Sequence, residues 1–117
     1  MLKLTVLVKR NPALSIEEFH EEWREHGRMI AGEPVFCSLI KRYEQHHRAI
    51  ADYRNGDTFD GLAMQWFDSF SDFMALIATP EYTAKMQPDE TRILDPDGLV
   101  IIFTEEAEVF ISPDAAT

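Results

Sequence analysis

Apolar and polar residues alternate at the start of the chain. Leu2, Leu4, Val6 and Val8 fall on one side, with Lys3, Thr5, Leu7 and Lys9 on the other. A period of two over residues 2–9 predicts a β-strand. Asn11-Pro12 ends it, and Ser15-Ile16-Glu17-Glu18 forms a capping box that starts a helix. Ile16, Phe19, Trp23, Gly27 and Ile30 follow at helical spacing, and Gly32-Glu33-Pro34 closes the helix. Residues 35–47 read as a second strand, Asn55-Gly56-Asp57 as a turn, and residues 60–67 as a third strand. Asp68 or Ser69 caps a second helix with the stripe Phe70, Phe73, Met74 and Ile77, and a further helical turn runs from Thr79 through Met86. Residues 87–98, with two Pro and three Asp, read as a surface loop. Leu99–Phe103 is a fourth strand that extends or bends as far as Phe110, and the tail from Ser112 is expected to fray.

The order is βαββαβ, an α+β arrangement of the ferredoxin-like kind with a four-stranded antiparallel sheet and both helices on one face. Strand 3 is apolar on both sides: Leu62, Met64 and Trp66 on one, Ala63 and Phe67 on the other. Strand 4 is too, so the face away from the helices needs a cover. A two-fold homodimer supplies a second sheet most simply. The competing account folds the chain's own C-terminal segment across that face. Residues 1–117 form a single domain in this reading.

Composition narrows the function. The chain has 21 acidic and 11 basic residues, a net charge of −10 with no basic cluster. That argues against nucleic acid and anionic membranes as partners. No apolar run approaches the ~20 residues of a membrane helix, and no signal peptide is visible. The lone Cys37, between Val35, Phe36 and Leu39, reads as a small core residue. A single cysteine fits a cytoplasmic setting. His46 and His47 are neighbours on a strand and so face opposite ways. With no spaced His or Cys partners, no metal is expected. No dinucleotide or phosphate-loop fingerprint is present, so no cofactor is expected.

Four histidines are candidates for proton transfer. His47, Gln45 and Tyr43 share one strand face, which would make a site of an imidazole, an amide and a phenol. His46 points the other way. His26, near the end of the first helix, is either a partner of the helix dipole or part of a site. His20, flanked by Glu, reads as a surface residue. Leu62, Met64 and Trp66 on strand 3, with Leu7 and Lys9 on strand 1, are candidates for lining a ligand pocket.

The same residues carry a resemblance to the EthD family of dimeric α+β barrels. It rests on Leu2 to Pro12, on Phe19-His20-Glu21-Glu22-Trp23-Arg24-Glu25-His26-Gly27, and on Arg42-Tyr43-Glu44-Gln45-His46-His47. Asp60-Gly61-Leu62-Ala63, Trp66-Phe67-Asp68-Ser69 and Thr79-Pro80-Glu81-Tyr82 continue it in order. Three positions depart from it: His26 follows Trp23 by three places where four is common, and Met64 and Ala107 stand where an acidic residue and a His are common. The resemblance implies a barrel whose interior receives Tyr43, Gln45 and His47. It also implies a cofactor-free dehydratase, cyclase or isomerase acting on a small aromatic, polyketide-like or lactone substrate. His47 would then be the base and Tyr43 the donor to the oxyanion. A non-catalytic binder or accessory protein of a catabolic pathway is the alternative, and a haem-handling barrel is a third.

Overall fold

The structure, a computed structural model, describes residues 1–113. The elements run β1 (Leu2–Val8), α1 (Ile16–Ala31), α2 (Pro34–Leu39), β2 (Arg42–His47), β3 (Gly61–Phe67), α3 (Phe70–Ile77), α4 (Gln87–Ile93) and β4 (Val100–Thr104). The strands form one antiparallel sheet in the order β2-β3-β1-β4. This is the ferredoxin-like α+β arrangement, with two helices, α2 and α4, added to the expected pattern. The expected fraying of the tail falls, from residue 114 on, outside the described residues.

The local signals at the start of α1 act as anticipated. Ser15 accepts from the Glu18 N–H, and the Glu18 carboxylate accepts from the Ser15 N–H, both at 3.0 Å. The same chemistry explains one correction. Glu33-Pro34 does not merely end α1; it starts α2. The Glu33 side chain accepts from Val35 N, and Pro34 sits in the first turn, where its missing N–H leaves no intrahelical bond unmade. The segment expected as the first half of strand 2 is therefore a helix, and the strand begins at Arg42. Helix α2 turns Phe36 fully into the core beside Leu4, Ile30, Ile40 and Phe67, and turns Cys37 outward. The core reading of Cys37 is thus overturned.

A second correction concerns residues 87–98. Pro88 again occupies a first helical turn, and the residues read as a loop form α4 followed by a short 3₁₀ turn at Pro96–Gly98. Met86 and Ile93, seven residues apart, bury their side chains on the sheet side. In α3 the buried residue is Leu76, while Phe70 and Met74, assigned to the apolar stripe, lie exposed. The strand expected to continue to Phe110 stops at Thr104.

Sheet register decides which side chains meet the helices. Leu4, Gln65 and Tyr43 stand in one cross-strand row, Val6, Ala63 and Gln45 in the next, and Val8, Gly61 and His47 in a third. These rows pack under the helices, with Leu4 and Phe67 in one core cluster and Val8 and Ala63 in another with Phe19, Trp23 and Ile93. The opposite face carries Lys3, Trp66 and Arg42, then Thr5, Met64 and Glu44, then Leu7, Leu62 and His46. Val100 and Ile102 of β4 extend that face and are 47% and 56% exposed. Phe110 and Ile111 are 90% and 94% exposed, so the described C-terminal segment does not close over the sheet. Among the described residues no helix is long and apolar enough to cross a membrane.

Candidate active site

The helix-side rows and α1 and α4 enclose a cavity of about 60 Å³. That is room for several water molecules, each needing roughly 10–15 Å³. Val6, Val8, Trp23 and Ile93 are among its apolar walls. Its polar lining comes from His26, Tyr43, Gln65, Asp89 and Glu90. A wider cleft of about 250 Å³ adjoins it toward β4, and Val6, Gln65, Met86, Glu90 and Leu94 line both.

His26 is buried on α1, and its Nδ1 lies 2.9 Å from Asp89 Oδ2 on α4. Burial pushes the His26 pKa below the ordinary imidazole value, against the pull of the Asp89 hydrogen bond and charge. Burial also raises Asp89, but its hydrogen bonds from His26 and Arg92 outweigh that and hold it below the usual carboxylate range. An ionised Asp89 fixes the proton of a neutral His26 on Nδ1. Nε2 then carries the lone pair, the arrangement in which a carboxylate orients a histidine base. The helix-dipole reading of His26 gives way to this pairing.

Tyr43 is set by a chain of contacts. Gln45 Nε2 donates to the Tyr43 hydroxyl at 2.9 Å and to the Trp23 carbonyl at 2.7 Å. The accepted bond leaves the phenol its own proton to donate. Burial pushes its pKa up to about 12, so it stays protonated at neutral pH. The approach of β2 to α1 depends on small residues. A Cβ on Gly27 would stand 2.8 Å from Gln45 Nε2, and one on Gly61 would stand 2.4 Å from the His46 carbonyl oxygen and 2.7 Å from the Trp23 ring.

Of the residues singled out in the sequence, Tyr43 and His26 share the cavity, and Gln45 braces Tyr43 from behind. His47 does not line it. Its Nε2 donates to Gln45 Oε1 at 2.9 Å, and its ring packs on Trp23 and His20 beside an open groove. Parity was right to group Tyr43, Gln45 and His47. The side they face, however, is the one under α1 and not the open face that a second sheet would cover. Leu7, Leu62, Met64 and Trp66 occupy that open face, with Trp66 flanked by Lys3 Nζ at 5.5 Å and the Arg42 guanidinium at 5.6 Å. Lys9 lies past the end of β1 against Gly98. His46 is exposed and pairs with Glu44 on its own strand.

Three polar wall residues escaped the sequence reading. Asp89 and Glu90 stood in the segment taken for a loop. Gln65 carried a signal: it is the one polar side chain between Ala63 and Phe67 on the covered row of β3. Its Oε1 is buried with no hydrogen-bond partner among the described residues. An unmet acceptor of this kind costs about 1–3 kcal/mol, which a donor on a ligand would relieve. His20 is the fourth surprise. It is buried rather than on the surface, in contact with His47 and Tyr53.

The EthD domain model matches residues 11–97. Solved structures share the fold at low identity. A dimeric ferredoxin-like protein of unknown function from Bacteroides fragilis is 19% identical, with a TM-score of 0.68 over 90% of this chain and 95% of that one. A hydroxynitrile lyase from Passiflora edulis is 15% identical, with a TM-score of 0.65 over 94% and 96%. SnoaB, a cofactor-independent oxygenase from Streptomyces nogalater, is 9% identical, with a TM-score of 0.63 over 95% and 97%. None of the curated proteins matches the sequence.

Proposed function

Because this chain belongs to the EthD domain family, we propose that it is a cofactor-independent lyase or isomerase, of dehydratase or cyclase type, acting on a small neutral carbonyl compound. The observation that carries the proposal is the pair of opposite chemical states at one cavity. His26, neutral and oriented by Asp89, is the base that removes a proton alpha to the carbonyl. Tyr43, held protonated, donates to the oxyanion that develops. His47 acts one step back, through Gln45. A hydroxynitrile lyase and a cofactor-independent oxygenase share this fold, which supports a small-molecule enzyme on such a scaffold.

Wall chemistry selects the substrate class. The cavity lining includes Asp89 and Glu90 and no Lys or Arg; Arg92 reaches Asp89 from outside that lining. Burial pushes Glu90 above the ordinary carboxylate range. A ligand carboxylate would meet acidic neighbours in a poorly hydrated space and would lose its own hydration. Uncharged lactones, cyclic ketones and polyketide-like aldehydes or ketones avoid that cost. A lactone and its ring-opened hydroxy acid make a matched pair. In an NMR titration the lactone should shift resonances of Trp23, His26 and Gln65, while the hydroxy acid anion leaves them in place. Preferential binding of the anion would overturn the substrate class. Incubation in D₂O then separates enzyme from binder. Exchange of the α-proton supports the enzyme, whereas saturable binding without exchange favours a non-catalytic binding protein.

The proposal includes a homodimer through the open face, which exposes Val100 and Ile102 beside Leu62, Met64 and Trp66. Light scattering should give about twice the 13.5 kDa chain mass. Ile102→Asp should halve it, because a buried carboxylate without a partner opposes association. A wild-type monomer at micromolar concentration would exclude the dimer.

A further inference from the structure

A row of hydrogen bonds runs beside the cavity from the core to a buried carboxylate. His47 Nδ1 and His20 Nδ1 are 2.6 Å apart, His20 Nε2 is 2.8 Å from the Tyr53 hydroxyl, and that hydroxyl donates to Asp60 Oδ1 at 2.7 Å. Proton positions follow from the partners whose roles are fixed. Asp60 is fully buried and receives the Arg10 backbone N–H at 2.8 Å, the Arg10 guanidinium at 3.4 Å and Tyr53. Tyr53 therefore spends its only proton on Asp60, and His20 Nε2 must donate to the phenol oxygen. At the other end Gln45 Nε2 faces the Trp23 carbonyl, so its Oε1 faces His47, and His47 Nε2 must donate. Both rings thus hold a proton on Nε2. With no further proton, two lone pairs would oppose each other across the 2.6 Å gap. A neutral imidazole has one donor and one acceptor nitrogen, so this pair needs one proton more than two neutral rings carry.

We propose that His20 and His47 share a single proton between their Nδ1 atoms, balanced through Tyr53 by the buried Asp60 carboxylate, and that this charged pair positions Gln45 and, through it, Tyr43. Charge-assisted bonds are the short ones, which fits the 2.6 Å separation. The Trp23 ring lies 4.5 Å from the His47 ring, a placement that favours a cation. The other charged groups near the pair are Glu17, Glu21 and Arg24 on α1, Arg10 after β1, and Arg48, whose guanidinium lies over the Tyr53 ring. Burial pushes His47 down to about 4 and lowers His20 as well, so each ring alone would be neutral near pH 7. The proton is a property of the couple and not of either ring. His20 and Asp60 are then positioning residues, and the inference does not depend on which reaction the cavity performs.

The test needs no substrate. In ¹⁵N-labelled protein at neutral pH, a far-downfield proton should correlate with Nδ1 of both His20 and His47, and both Nε2 atoms should carry protons. Tyr53→Phe, a small change in volume, removes the acceptor of His20 Nε2, so the pair should give up its extra proton: His20 Nε2 should become unprotonated, leaving an ordinary neutral Nδ1–H···Nδ1 bond, while the amide spectrum stays folded and the Tyr43 ring resonances shift. Asp60→Asn should do the same; if it unfolds, Tyr53→Phe alone decides. An unprotonated Nε2 on either ring in the wild type, or both Nε2 atoms still protonated in Tyr53→Phe, would overturn the proposal. So would an infrared band of a protonated carboxyl group that vanishes in Asp60→Asn, since the proton would then sit at the far end of the row.

Discussion

Replacing His26 by Gln should lower turnover of a cavity substrate by about 10²–10⁴-fold, the range typical of a removed general base. The substitution keeps a hydrogen-bonding side chain beside Asp89 and removes the basic nitrogen, so the melting temperature should change little. Tyr43→Phe should be nearly as severe in turnover, while His47→Ala should do less, because it acts only through Gln45. The pH profile gives an independent check. His26 must be neutral, and burial has moved its pKa below the ordinary 6.5. Activity should therefore fall only on the acid side of that value, as His26 gains a proton. It should hold through neutral pH and decline again only as Tyr43 ionises near 12. Greater damage from His47→Ala than from His26→Gln, measured as kcat on the same substrate, would return the base to β2.

Phe36→Ala should cost about 3–5 kcal/mol of stability, since it empties a fully buried aromatic site between α2 and the sheet. Against a typical total of about 5–15 kcal/mol, that is enough to leave much of the protein unfolded at growth temperature. The neighbouring Cys37→Ser, on the exposed side of the same helix, should stay within about 0.5 kcal/mol. Denaturant melts of the two variants test which of the two side chains faces the core. Had residues 35–39 been strand, Phe36 and Cys37 would still lie on opposite faces. The discriminating variant is therefore Pro34→Gly, which loosens only a helix start and should lower stability by roughly 1 kcal/mol.

The fold was legible because its strongest signals are local. The capping box at Ser15 and Glu18, the alternation in β1 and β3, and the spacing of Phe19, Trp23 and Ile30 each act within a few residues. What misled was proline. Pro34 and Pro88 were read as breakers, although each sits in a first helical turn, where it is well tolerated. That error hid α4 and with it Asp89 and Glu90. The site suffered from a different limit. Alternation sorts Tyr43, Gln45 and His47 from Arg42, Glu44 and His46, but it does not say which set meets the helices. His20 was missed because its sequence neighbours are acidic, whereas its spatial neighbours, His47 and Tyr53, come from 27 and 33 residues away.

Strand β3 serves both faces of the sheet, with Ala63 and Gln65 turned toward the cavity and Leu62, Met64 and Trp66 toward the open side. The two surfaces are written in one segment as interleaved letters. Losing or gaining a single residue there would exchange them, sending the tryptophan into the cavity and the glutamine outward. Point substitutions can therefore retune either surface separately, but length changes in this strand are tolerable only in pairs. The seven residues from Gly61 to Phe67 are thus the stretch where descendants of this chain should vary in spelling and not in length.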